Sequence, residues 1–184
     1  MTMERAELLD QVLDRYTAWY DVERLDESEQ PLVAKAVYHE HNVSYAISQK
    51  AEMWSTDRHE YVYFFSVPRL TAEIYDTCFA RGLALGEQLV EPKKGHMSSD
   101  IVIIFLCDHV DGDAQQKVKS CRMRKSFQFS LKGWMQVQTV AVDLEEAAVC
   151  ANPAGIGNER FLDLILHPEK RKKKKRGLFQ AIFK

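Results

Sequence analysis

Four ionisable residues crowd into one short stretch: Asp108, His109, Asp111 and Asp113. Carboxylates and an imidazole at that density form a donor set for Mg²⁺ or a transition metal. The chemistry such a centre would support is metal-dependent hydrolysis of a phosphodiester-type bond. The order is not that of an EF-hand loop, because Asp-x-Asp-x-Asp-Gly is absent. The same residues also have a purely conformational role, with Asp111-Gly112 making a turn and Asp113 capping a following helix. The metal-dependent hydrolase is therefore the alternative reading, and a divalent metal is the one cofactor it would need.

Other constellations are thinner. His39-x-His41 would present two imidazoles on one face of a strand, but the local composition reads as a turn and supplies no third ligand. His96 and Asp100 flank Ser98-Ser99 without the Gly-x-Ser-x-Gly context of a nucleophile elbow. Arg122, Arg124, Lys125 and Lys132 interleave with Phe127, Phe129 and Trp134, a pattern that can track single-stranded nucleic acid. The shared parity of Phe127 and Phe129 favours core packing instead.

The strongest anomaly is a charge division. Of 25 basic residues, eight lie in Lys170–Lys184 with no acid among them, leaving 17 against 27 acids in residues 1–169. An acidic body of −10 thus carries a basic end of +8. Lys170, Arg171, Lys172, Lys173, Lys174, Lys175 and Arg176 run without a break, and Leu178, Phe179, Ile182 and Phe183 follow on one face of a would-be helix. So short a segment is not helical alone in water and would fold only on a partner. An anionic membrane surface or RNA supplies the complementary charge.

The elements that would position these residues follow from periodicity. Leu8, Leu9, Val12, Leu13, Tyr16, Trp19 and Tyr20 recur at helical steps after Thr2, which is placed to cap them. Asp21 to Glu29 reads as a solvated acidic linker. Leu32 to Val67 reads as a three-stranded meander with turns at His39–Asn42 and Ser55–His59. A helix is predicted from Thr71 to about Val90, where Gly82 and Gly86 make sense only if the helix approaches a sheet closely. Ile101 to Cys107 is an unbroken apolar run too short for a membrane span, the signature of a strand buried on both faces. The link from the meander through the long helix is long enough for a parallel crossover. A short helix follows through Val118. Phe127, Phe129, Leu131, Met135, Val137 and Ala141 share one parity, which a two-residue turn at Lys132-Gly133 would break and a three-residue connection, Lys132 to Trp134, would keep. A second hairpin turns through Leu144-Glu145-Glu146, and Glu159–Leu166 is a helix or a strand.

The fold class predicted is α+β: one domain over residues 1–168, with a mixed, mostly antiparallel sheet around a central strand at about 101–107, packed by three main helices. Residues 169–184 form a basic tail. Helix, three strands, helix, strand is also the element order of PD-(D/E)xK nucleases, whose chemistry needs an Asp and a Glu-x-Lys on adjoining strands. Gln49-Lys50-Ala51-Glu52 and Glu60-Tyr61-Val62 are not Glu-x-Lys, so element order alone is shared. The four cysteines form no Cys-x-x-Cys pair, the first residues carry no apolar signal region, and a cytoplasmic setting is expected. With no complete catalytic motif, the leading reading is a non-catalytic cytoplasmic binding protein, peripheral to a membrane or bound to RNA through its basic tail.

Overall fold

The structure is a computed structural model that describes residues 3–45, 52–92, 96–127 and 132–170. The elements run α1 (Arg5–Tyr16), β1 (Asp21–Arg24), β2 (Leu32–Tyr45), β3 (Glu52–Leu70), α2 (Ala72–Leu89) and β4 (His96–Val110). They continue with α3 (Gly112–Ser120), β5 (Arg124–Ser126), β6 (Trp134–Asp143), β7 (Ala148–Ala151) and α4 (Ile156–Leu166). The sheet order is β1-β2-β3-β4-β6-β5, with β7 on the same outer edge of β6 as β5. β3, β4 and β6 are mutually parallel, while the pairs β1/β2, β2/β3, β5/β6 and β6/β7 are antiparallel. This is an α+β domain with a mixed sheet, as the patterning predicts.

Ile101–Cys107 is the centre of that sheet, with every residue at 0 % exposure. Its odd positions face one core with α2 and α3, and its even positions face a second core with α1 and α4. An apolar run without a polar phase is what a strand covered on both faces requires. The close approach that the glycines imply is present. A Cβ on Gly86 would lie 2.7 Å from the Ile101 side chain, and one on Gly82 would lie 3.1 Å from Ile103. Thr71 caps α2, its hydroxyl accepting from Ile74 N at 3.2 Å.

Several expectations need correction. α1 starts after Glu4, whose side chain makes no capping bond, and Thr2 lies outside the described residues. The helix ends at Tyr16, so Trp19 is 77 % exposed. Asp21–Glu29 is not a linker: Asp21–Arg24 forms an edge strand on β2, followed by a turn of 3₁₀ helix at Glu27–Glu29. Its charges suit an edge, where Lys35 pairs with Glu23 at 3.0 Å and Arg24 with Asp10 at 2.6 Å. His39–Asn42 and Ser55–His59 are not turns either, because pairing runs through them as His39↔His59 and His41↔Asp57. β4 begins only opposite Asp57, so beyond that point β2 and β3 form a ribbon held by their own ladder. His96, Ser98, Ser99 and Asp100 belong to β4 rather than to a loop.

The β5–β6 connection is longer than three residues. Ser126 pairs with Trp134 and Lys125 with Met135, and Phe127 N donates to Gly133 O at 2.9 Å. Val137 N donates to Met123 O at 2.9 Å, and Phe129 and Leu131, on which the expected pairing rests, lie outside the described residues. Asp111, not Asp113, sits at the N-cap of α3. The Leu144–Ala147 turn is present, and Glu159–Leu166 is helix, which makes four α-helices among the described residues.

Candidate functional site

The structure does not bring Asp108, His109, Asp111 and Asp113 together. Asp108 and His109 are consecutive strand residues, so they leave β4 on opposite faces. Asp108 points to the α1 side, where it accepts from Arg5 Nε at 2.9 Å, while Arg5 Nη1 donates to Ser66 Oγ at 3.0 Å. This pair lines a cleft of about 910 Å³ between the start of α1 and the β1–β2 edge. His109 faces the other way, with Nδ1 3.2 Å from Glu145 Oε2 and 3.6 Å from Asp143 Oδ2, and Nε2 3.6 Å from Asp111 Oδ1. Asp111 in turn accepts from Arg69 Nε at 2.7 Å. Asp143 is committed to the backbone, accepting from Val110 N at 2.9 Å and Glu146 N at 3.0 Å. Asp113 lies exposed in the first turn of α3. Among the described residues, no cluster of three or more His, Cys, Asp or Glu side chains is arranged to hold a metal ion.

A different set converges. At the amino-terminal ends of the three parallel strands, on the face shared with α1 and α4, paired residues form one row across the sheet. It reads Tyr38–Glu60–Asp100–Gln136–Arg124, one residue from each of five neighbouring strands. The row above it, Ala36–Val62–Val102–Gln138, marks the edge of the apolar core. There α1 ends and α4 begins: Tyr16 Oη donates to Asn158 Oδ1 at 3.0 Å, and Asn158 Nδ2 donates to Gln138 Oε1 at 2.9 Å. The row below holds Arg58, Ser98 and Trp134.

Glu60 and Asp100 are direct cross-strand neighbours, which puts like charges side by side. Asp100 is oriented by Gln136 Nε2, which donates to Oδ1 at 2.6 Å. Burial, and then the charge of Asp100, push the Glu60 carboxyl up from 4.5 to about 7, against the weaker opposing effects of a Tyr20 hydrogen bond and Arg58. Burial and Glu60 in turn push the Tyr20 hydroxyl well above its ordinary value. Tyr20 stacks obliquely on Tyr16 and Tyr38, with ring centroids 4.6 and 5.4 Å apart. At the far end the Arg124 guanidinium lies 4.5 Å over the Trp134 ring. A carboxyl that titrates near neutrality beside a fixed carboxylate can exchange a proton or hold a cation.

Glu60 heads Glu60-Tyr61-Val62, so although Asp100 adjoins it on β4 this row lacks the lysine of a PD-(D/E)xK centre. Motif reading passed over the row because its members are scattered through the chain. A fainter signal exists: Glu60 and Asp100 each stand immediately before an apolar run, and Gln136 and Gln138 occupy the phase opposite Met135 and Val137.

Of the tail's basic residues, Lys170 alone falls within the described residues, and its Nζ contacts both Asp163 oxygens at 2.8 Å. That contact, first among its causes, lowers the Asp163 carboxyl below its ordinary value. Arg171 to Arg176, Leu178, Phe179, Ile182 and Phe183 lie outside the described residues. No helix among the described residues is long and apolar enough to cross a membrane.

The model of a family described as a domain of unknown function (DUF8052) matches residues 4–164. No curated protein and no solved structure matches the chain significantly.

Proposed function

The chain belongs to the DUF8052 family, which brings no activity with it, and from its own residues we propose a non-catalytic binding protein attached to an anionic membrane surface by its tail. The observation that carries this reading is the division between a body of −10 and an end of +8. Several of the body's cations are engaged at home: Arg5 with Asp108, Arg24 with Asp10, Arg69 with Asp111, Arg81 with Glu29 and Lys117 with Asp76. Lys170 belongs with them through Asp163, and the charge we assign to the partner is that of Arg171–Arg176 and Lys184.

Each Lys or Arg near an anionic leaflet contributes ~1 kcal/mol before ordering costs. Each of Leu178, Phe179, Ile182 and Phe183 contributes ~1.5 kcal/mol or more if fully inserted. Those apolar side chains favour lipid over RNA, which would use the charge and leave them exposed. The sum is consistent with reversible binding in the micromolar range.

The test is cosedimentation of the full chain and of a 1–170 truncation, which keeps the Lys170–Asp163 pair. Vesicles with and without an anionic lipid are compared at low and high salt, with single-stranded RNA in parallel. Binding of the full chain to anionic vesicles, weakened by salt and absent in the truncation, is the expected result. Equal or negligible vesicle binding by both chains overturns the proposal, and binding to RNA alone replaces the membrane with nucleic acid.

A further inference from the structure

We propose that the end of the sheet around Glu60, Asp100 and Ser98 is a binding site for a protonated amine, independent of the tail. Four observations converge there. Two carboxylates stand side by side on adjacent strands, and Asp100 is held in place by the Gln136 amide. Ser98 lies two residues from Asp100 on the same face, is 1 % exposed, and its hydroxyl has no hydrogen-bond partner among the described residues. An unpaired buried hydroxyl is unfavourable, and a ligand N–H reaching in from this face would satisfy it. Tyr20 and Tyr38, half-buried and packed obliquely on each other, stand beside Glu60 with rings that attract a cation. At the same sheet end the protein already seats a cation of its own on an aromatic ring, Arg124 over Trp134.

The donor set suits an ammonium better than a divalent ion. Ca²⁺ takes six to eight oxygens and Mg²⁺ a near-ideal octahedron. This site offers two carboxylates and a hydroxyl, walled by aromatic rings that give a metal nothing. An ammonium instead needs up to three acceptors for its N–H groups and gains from the rings. The charged and titratable groups that face Glu60 are Tyr16 and Tyr20 beside α1, Tyr38 on β2, Arg58 on β3 and Asp100 on β4. The ligand competes with the Glu60 proton, so binding weakens as pH falls below neutrality.

The experiment is calorimetric titration of the full chain with n-butylamine and putrescine, with 1-butanol as the uncharged counterpart and Mg²⁺ as a separate arm. Each is run at pH 8 and pH 6 for wild type, Glu60→Gln and Asp100→Asn. Saturable amine binding is expected in the wild type, about tenfold weaker at pH 6 because one carboxyl must lose its proton. Glu60→Gln should weaken binding at pH 8 by tenfold or more and remove the pH dependence, and 1-butanol should not bind. The idea is overturned if neither amine binds saturably, if 1-butanol binds as well, or if both variants titrate like the wild type. Carboxylate-dependent Mg²⁺ binding without amine binding overturns it in favour of a metal. The contrast between amine and alcohol in the wild type decides the matter even where a variant fails to fold.

Discussion

Replacing Glu60 by Gln should stabilise this protein, and only above mildly acidic pH. In the fold the Glu60 carboxyl sits at about 7 instead of 4.5, because burial and Asp100 both disfavour its charge. Between those two pH values the folded chain binds a proton that the unfolded chain has released, so stability falls as pH rises through this window. A displacement of that size corresponds to ~3 kcal/mol between the charged and neutral carboxyl. Glu60 keeps some contact with solvent, and ~1–3 kcal/mol is the expected range. Urea denaturation of wild type and Glu60→Gln at pH 4, 6 and 8 reads this directly. The two proteins should differ little in pH dependence below 4.5 and diverge steadily up to pH 8. The variant's midpoint of thermal unfolding at pH 8 should then be higher by roughly 2–10 °C for a chain of this size. Asp100→Asn removes the second cause but not burial, so it should gain less than Glu60→Gln at pH 8. A gap between wild type and Glu60→Gln that is the same at pH 4 and pH 8 would refute the assignment of Glu60 as a strained carboxyl.

Three further outcomes are expected. Gly86→Ala should destabilise by ~1–3 kcal/mol because its Cβ meets Ile101 at 2.7 Å, a clash that the ~1 kcal/mol gain in helix propensity does not offset. Gly82→Ala, with 3.1 Å to Ile103, should cost less, and equal urea midpoints for the two variants would contradict the packing. Asn152→Ala should cost ~3 kcal/mol or more by chemical denaturation, since this buried amide accepts from Thr139 N and Gly155 N and donates to Val137 O and Cys121 O. At pH 8 a thiol reagent should modify Cys121 first in the native protein and all four cysteines after unfolding. Burial pushes the thiols of Cys78 and Cys150 up to about 11 and that of Cys107 higher still.

Individual residues show how far local pattern reaches. Ile101–Cys107 announces a strand covered on both faces because no polar phase exists for solvent to meet. Gly82 and Gly86 announce a helix lying tightly on that strand, since nothing else compensates their propensity cost. His39–Asn42 and Ser55–His59 mislead because their polar composition is read as a break in the chain's path. Backbone pairing in a ribbon beyond the last core strand does not depend on apolar side chains, so the strands continue through them. Asp21–Arg24 misleads for a related reason: an edge strand of four residues can be charged at all but one position, here Val22. The Asp108–Asp113 cluster is dense in sequence and divided in space, because the pleat sends Asp108 to Arg5 and His109 to Glu145.

The sequence by itself determined the fold class, the buried central strand, the helix that approaches it closely and the separation of charge between body and tail. Each of these depends on composition or on a period within one segment, and both are complete before any segment meets another. Only the tertiary structure decided which carboxylates become neighbours. Glu60 and Asp100 are forty positions apart in the chain and adjacent across a parallel pair of strands, a register set by packing on both sheet faces rather than by either strand alone. The energy that raises Glu60 comes first from burial and then from that adjacency, and neither exists until the sheet is assembled.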